Sequence, residues 1–500
     1  FVGWSTPFTF FSVSKFLMLG MLSIALALAL LIYLAYRGVS VVIVAPIMAS
    51  LAVLLAGETL ILGAYTQIFM SATGNFIILY FPLFLLGAIF GKLMDDSGSA
   101  QAIAQWAVRK FGEARSILVV VLSCALLTYG GVSLFVVAFA VVPIAEMLFR
   151  NNGLPKRLIP GAVALGAFSF TMTALPGTPA IQNAIPMLAF GTTPFAAPVL
   201  GIIAAALMLA LGMWWLNYRA RAAAARGEGF GVHAEAAPQV DQRLRVHADA
   251  ESFDIGELCD KPTRAGEPGI FVALLPIVAV ISLNLVFSKF ILPALDTSFL
   301  AQPEYGEIEL GAVIGIWSII AALACSILLV AALNYKRFSD FTASIDSGAN
   351  ASVMPIFNTA SLVGFGAVIA ILPAFATITA GLFHLGGDNP LVSLSLSVSV
   401  LAGITGSASG GMSIVLQAVG AKFVEMAVAS GVSLDLLHRV AALAAGGLDC
   451  LPHGGAVITL LQICNLKHKD SYLDIFAVAV AGPVVALITV IILGTLFGSF

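Results

Sequence analysis

The chain has 500 residues, of which 60% are hydrophobic and 10% charged, with 23 Lys and Arg against 26 Asp and Glu for a formal net charge of -3. A soluble protein carries about 25% charged residues, so a large soluble enzyme is excluded, and the near-zero charge excludes the basic footprint of a nucleic-acid-binding protein. A mean hydropathy of +1.04, with 47 glycines spread along the chain, describes an all-α polytopic membrane protein whose helices pack closely.

Roughly 20 apolar residues cross a bilayer, and the predicted elements follow from that length. Residues 1–20 form an apolar N-terminal extension with Lys15 but no basic start and no A-x-A site. They do not read as a signal peptide, and Met21 would serve as an initiator. Spans are expected at 21–36 and 39–56, then, after a more polar stretch, at 76–94. A charged amphipathic piece up to Arg115 reads as a surface helix, with Lys92, Asp95 and Asp96 as interfacial anchors at the end of the preceding span.

Residues 116–149 are apolar but broken at Tyr129-Gly130-Gly131, which predicts a re-entrant hairpin with a glycine tip. Residues 158–190 are too long for one straight span and contain Leu175-Pro176-Gly177-Thr178-Pro179, so a helix unwound at its midpoint is expected. A span at 196–217 closes this first repeat, 21–217. Residues 218–268 carry seven basic and nine acidic residues and read as a solvated linker. The second repeat, 269–500, has spans at 269–292 and 309–334, a polar arm at 336–350 and a span within 353–383. It continues with a hairpin at 391–428 centred on Gly410-Gly411, an unwound helix at 432–464 interrupted at Leu451-Pro452-His453-Gly454-Gly455, and a last span at 472–498.

Four landmarks recur at a nearly constant offset. Gly87-Ala88 matches Gly366-Ala367 at 279, Gly130-Gly131 matches Gly410-Gly411 at 280, Glu146-Met147 matches Glu425-Met426 at 279, and Leu175-Pro176 matches Leu451-Pro452 at 276. Internal repeats with broken helices are the mark of secondary transporters. Arg109, Lys110 and Arg115 precede the first hairpin and Arg150, Lys156 and Arg157 follow it, so its open end is expected to face the cytoplasm. The second hairpin is flanked by His384, Asp388 and Asp435 and opens outward. The repeats are therefore expected to be inverted, with the linker cytoplasmic.

Tips and unwound helices supply half-helix N-termini, whose free N–H groups and partial positive charge favour a carboxylate. The substrate-binding candidates of the first half are Gly130, Gly131, Ser133, Thr173, Gly177, Thr178, Gln182 and Asn183. Those of the second half are Ser407, Ser409, Gly410, Gly411, Ser413, Gly454 and Gly455. The alternative for any one of them is that small residues merely permit close helix packing. Asp449 and His453 are a closely spaced carboxylate and imidazole at membrane depth, the candidates for proton coupling; the alternative is a hydrogen bond bracing the unwound segment. Glu146 and Glu425 lie about 13 residues past their tips, roughly 20 Å along a helix, and are expected as surface anchors. Ser393, Ser395, Ser397 and Ser399 alternate, but an open strand cannot sit in lipid, so a small-residue helix face is expected. The five cysteines show no CxxC or ligand spacing, and no disulfide, metal or cofactor is expected.

The stretches YGGVSLFVVAFAVVP (129–143), PKRLIPGAVALGAFSFTMTALPGTPAIQNAIP (155–186) and GKLMDDSG (91–98) resemble the gluconate permease (GntP) family of the ion-transporter superfamily. The resemblance covers 21–500. It implies a proton-coupled symporter of small hydroxylated organic acids, built as a homodimer of scaffold and elevator-type transport domains in the bacterial inner membrane. The tip YGGVS departs from the acidic, Phe-Glu-containing motif of gluconate carriers and looks like the branch labelled 3-hydroxybutyrate permease. Sodium-coupled relatives place Ser-Asn-Thr at both tips, which neither tip here matches, so protons are expected over sodium. A sodium-coupled organic anion symporter is the alternative, and an anion channel would need a continuous polar pore.

Overall fold

A computed structural model describes residues 7–37, 39–57, 61–231, 268–377, 381, 387 and 389–499, and every regular element among them is a helix. Among the described residues, eight helices are long and apolar enough to cross a membrane, or nine if one pair bent by 110° is a single span. The molecule is a polytopic helical membrane protein. Of the linker expected at 218–268, residues 232–267 lie outside the described residues, as do residues 1–6 of the extension, His384 and Asp388.

Helices α1 (Pro7–Tyr36) and α2 (Val41–Ala56) pack against each other. Next, α3 (Ile61–Asp96) runs unbroken through the stretch that sequence leaves polar, with one wide π turn at Ala64–Phe69. Backbone inside a bilayer must be bonded within its own segment, and Thr66 stays in the helix by donating to the Leu62 carbonyl at 2.7 Å. The expected surface helix is α4 (Ser99–Phe111), which buries Ala100, Ile103, Ala104 and Ala107 while exposing Arg109 and Lys110. It covers α5 (Ser116–Tyr129), the first limb of a hairpin completed by α6 (Leu134–Asn151).

Behind this hairpin lie α7 (Ile159–Ala167), the single turn α8 (Phe170–Thr173) and, after an unwound segment, α9 (Ile181–Phe190); α10 (Pro198–Ala225) follows. Past the linker come α11 (Ile270–Ala294), α12 (Leu310–Asn334), α13 (Phe341–Ala351) and α14 (Val353–Ala370). The polar arm expected at 336–350 is thus mostly helical, and α13 lies on α3 where Gly348 meets Ile89. Lys92, Asp95 and Asp96 are buried in the protein there, where exposed anchors are expected, and Lys92 Nζ pairs with Asp96 at 3.2 Å.

The second hairpin is α15 (Pro390–Thr405) and α16 (Ala408–Ser430), followed by α17 (Leu434–Leu448), α18 (Gly455–Ile463) and α19 (His468–Phe497). Its turn falls at Gly406-Ser407, with Gly410 and Gly411 inside the first turn of α16. Ser407 caps that helix by accepting the Gly410 N–H at 3.2 Å. Gly411 has a different task, because a Cβ there would stand 2.3 Å from the Ala402 amide nitrogen, and its absence lets the limbs cross. Small residues set other interfaces of this kind, as membrane packing requires: Gly166 against Cys124, Gly212 against Leu165 and Gly446 against Thr173.

One buried polar node links elements distant in the chain. Asp474 of α19 is fully buried and accepts from Arg219 Nε at 2.8 Å, Trp215 Nε1 at 3.0 Å and Arg157 Nη1 at 3.0 Å. Arg157 Nε also pairs with Glu228 at 2.6 Å.

Candidate functional site

The first hairpin tip and the first unwound segment touch. Gly131, at φ +92°, faces the Pro179 ring, and the Tyr129 hydroxyl donates to the Pro176 carbonyl at 2.7 Å. Between them and α3 lies a cavity of about 130 Å³, small beside the 300–1,000 Å³ of drug-sized ligand pockets. Thr128, Gly131 and Ser133 come from the tip, Met172 and Gln182 from the broken helix, and Phe84 and Gly87 from α3; Ser352 enters from the α13–α14 junction. Among the described residues, no Asp, Glu, Lys, Arg or His lines it.

Two helices begin at this cavity. Ser133 precedes α6, and Ala180 and Ile181 open α9, so both N-termini border one space. The first N–H groups of a helix have no partner within it and carry the positive end of the dipole. Thr128 is 4% exposed, and its hydroxyl has no hydrogen-bond partner among the described residues. Sequence reasoning missed it because a threonine at the end of an apolar helix limb carries no pattern of its own.

Of the first-half candidates, Gly131, Ser133 and Gln182 line the cavity, while the others stand around it. Gly130 packs on Ile277 of α11. The Gly177 amide donates to the Pro194 carbonyl at 2.8 Å, and its own carbonyl accepts from Asn284 of α11 at 3.2 Å. Thr178 is buried, with its carbonyl held by Asn183 Nδ2 at 3.0 Å.

Thr173 and Asn183 belong to a second layer that no motif revealed. Asn183 Nδ2 donates to two carbonyls, so its Oδ1 is the acceptor for His438 Nε2 at 3.0 Å and Arg439 Nη1 at 3.4 Å. His438 therefore carries its proton on Nε2, and its Nδ1 accepts from the Thr192 hydroxyl at 2.6 Å. Arg439 also donates to the Thr173 carbonyl at 3.2 Å and, through Nη2, to that of Ala196 at 2.8 Å. Both side chains are fully buried on α17, where they join the two broken helices. Only the tertiary structure turns Arg439 inward.

The second-half candidates gather apart from the cavity. Gly406 of the second tip rests on Gly454 and His453, mirroring the first-half contact. Ser407 lies 3.4 Å from Ser409, Gly410 faces Leu362 and Gly455 opens α18. The Ser413 hydroxyl is buried without a partner among the described residues. Asp449 ends α17; it is 7% exposed, and its Oδ1 has no hydrogen-bond partner among the described residues. His453 turns from it to donate from Nε2 to the Gly403 carbonyl at 2.8 Å. Asp449 and His453 thus have separate surroundings, and His453 braces the second tip. Glu146 pairs with Lys156 at 2.8 Å and Glu425 with exposed Lys422 at 3.0 Å. Among the described residues no group of three His, Cys, Asp or Glu could hold a metal ion.

No family model matches the chain. It is 42% identical over 460 residues to a Bacillus subtilis (strain 168) protein named "Uncharacterized transporter YxjC", an alignment that takes in 91% of this chain and 94% of the other.

Proposed function

Since the chain belongs to the family of that Bacillus subtilis transporter, we propose that it is a secondary active transporter carrying a small hydroxycarboxylate together with protons across the bacterial inner membrane. The observation that carries this reading is the meeting of two helix N-termini and the unpartnered Thr128 hydroxyl at one small cavity. Such a site offers N–H and O–H donors and a positive field without a charged side chain, the chemistry that suits a carboxylate. The Gln182 amide and the Ser133 and Ser352 hydroxyls are available to a substrate hydroxyl.

Gluconate permease relatives, and their 3-hydroxybutyrate branch in particular, are our reading from the tip YGGVS. The cavity volume favours the shorter acid of the two. In the same reading the halves are inverted repeats. Packing of α1 on α2 and α11 on α12, of α5 on α7 and α15 on α17, and of each tip on its own broken helix supports this. The hairpins and broken helices would move as the transport domain against a scaffold of the paired spans, in a homodimer with the linker in the cytoplasm. Asp449, buried with a free carboxylate oxygen, is the proposed proton carrier.

Uptake into proteoliposomes under an imposed inward proton gradient tests the proposal. We expect accumulation of labelled 3-hydroxybutyrate, undiminished when choline replaces sodium. Failure of both 3-hydroxybutyrate and gluconate to enter overturns the substrate class, sodium dependence overturns the coupling ion, and single-channel conductance would make the protein a channel. Full proton-driven accumulation by Asp449→Asn removes that residue from the coupling role.

A further inference from the structure

We infer that Arg439 is the fixed internal cation that makes the cavity select a carboxylate over its uncharged analogue. The inference rests on the transport reading above and adds to it the group that sets the sign of the substrate.

The guanidinium is the largest fully buried side chain among the described residues. Its hydrogen-bond partners are all uncharged oxygens: the Thr173 and Ala196 carbonyls and Asn183 Oδ1. Among the described residues no carboxylate lies within ion-pair distance; Asp435, one turn away at the start of α17, is exposed and acts on the guanidinium only at longer range. Carbonyl oxygens satisfy the N–H groups of a guanidinium but leave its unit charge in place. A buried cation without a counter-ion is costly, and the charge remains available to an anion nearby.

Its position fits that use. Thr173 follows Met172, and Asn183 follows Gln182, and both Met172 and Gln182 line the cavity. Arg439 therefore bonds to the residues next in sequence to two that line the cavity. On its other side it is closed in by Gly201 of α10, where a Cβ would come within 3.2 Å of Nε. The two helix N-termini at the cavity carry the same sign as the guanidinium, no charged side chain among the described residues lines it, the buried Lys92, Asp95 and Asp96 lie further along α3 past Gly87 and Gly91, and the low dielectric of the interior lets a full charge act through protein.

Arg439 on this account is a positioning charge that does not touch the substrate. Competition for uptake separates it from a purely structural brace, using two matched probe pairs: 3-hydroxybutyrate with 3-hydroxybutyramide, and gluconate with gluconamide. The wild type should prefer the acid, Arg439→Gln should lower the acid-to-amide preference at least tenfold, and Arg439→Lys should keep it within about threefold because the charge is retained. Amide binding and an unshifted thermal midpoint report that the Gln variant is folded; if it does not fold, the Lys variant carries the test, and loss of acid preference there overturns the inference. An Arg439→Gln protein with the wild-type ratio overturns the role of Arg439 alone. A wild type that binds no carboxylate overturns the transport reading, and the charge assignment falls with it.

Discussion

Gly131 and Pro179 meet where the first hairpin tip crosses the first helix break: with φ at +92°, a Cβ on Gly131 would lie 2.8 Å from Pro179 Cγ. Both residues line the same cavity, so this contact closes one side of the site. Gly131→Ala adds a left-handed strain of about 1 kcal/mol and an overpacking cost of about 1–3 kcal/mol. We expect a lower thermal midpoint in detergent and uptake reduced by about tenfold or more, since the tip must withdraw from Pro179. Wild-type uptake and midpoint together would show that this contact is slack.

Thr128→Val exchanges a hydroxyl for a methyl of nearly the same shape. The hydroxyl has no protein partner to lose, so stability should change by no more than about 0.5 kcal/mol. A substrate hydrogen bond worth about 0.5–1.5 kcal/mol would be lost, which raises KM about 2- to 12-fold with little change in the midpoint. Unaltered KM would remove Thr128 from the binding surface.

Asp474→Asn keeps the shape of the buried node and removes the charge that answers Arg157 and Arg219. Breaking a buried pair from one side costs about 3–5 kcal/mol; the cost here lies toward the low end, because Arg157 keeps Glu228 and is 16% exposed, which leaves Arg219, 22% exposed, as the group that loses its counter-charge. The thermal midpoint of the purified protein should fall clearly; a midpoint within error of wild type would mean that water reaches the node.

Glu228 sits at the outer edge of that network, where its hydrogen bond from Arg157, with a further one from Arg226, holds its carboxyl down at about 2. The ordinary glutamate value is about 4.3. A depressed folded-state value means that the pair stabilises the protein above that ordinary value and that the contribution is lost as pH falls from there toward 2. The side chain is 34% exposed, so the effect is screened and modest. Thermal midpoints of wild type and Glu228→Gln should differ at pH 6, with wild type higher, and converge on acidification below about 4. A constant difference down to the lowest accessible pH would contradict the assignment.

Much of the fold was legible because the bilayer imposes local rules. A helix must be about 20 residues long to cross, its backbone must bond internally, and Pro or Gly in mid-span interrupts it. These rules alone place the spans, the first hairpin tip and both helix breaks, and with them Gly131, Ser133 and Gln182 at the cavity. The register of the second tip was not legible, because Gly410-Gly411 marks the crossing of the limbs at Ala402 and not the turn.

Sequence by itself determined that this is a helical membrane protein with paired glycine breaks, since length, composition and helix interruption are properties of contiguous residues. Tertiary structure alone decided which ionisable groups face inward. Asn183 and Arg439 are 256 positions apart, and Lys92 is buried where α13 lies across α3 at Gly348. Such burial depends on which helices approach, through small residues far apart in the chain, and no local pattern records that choice.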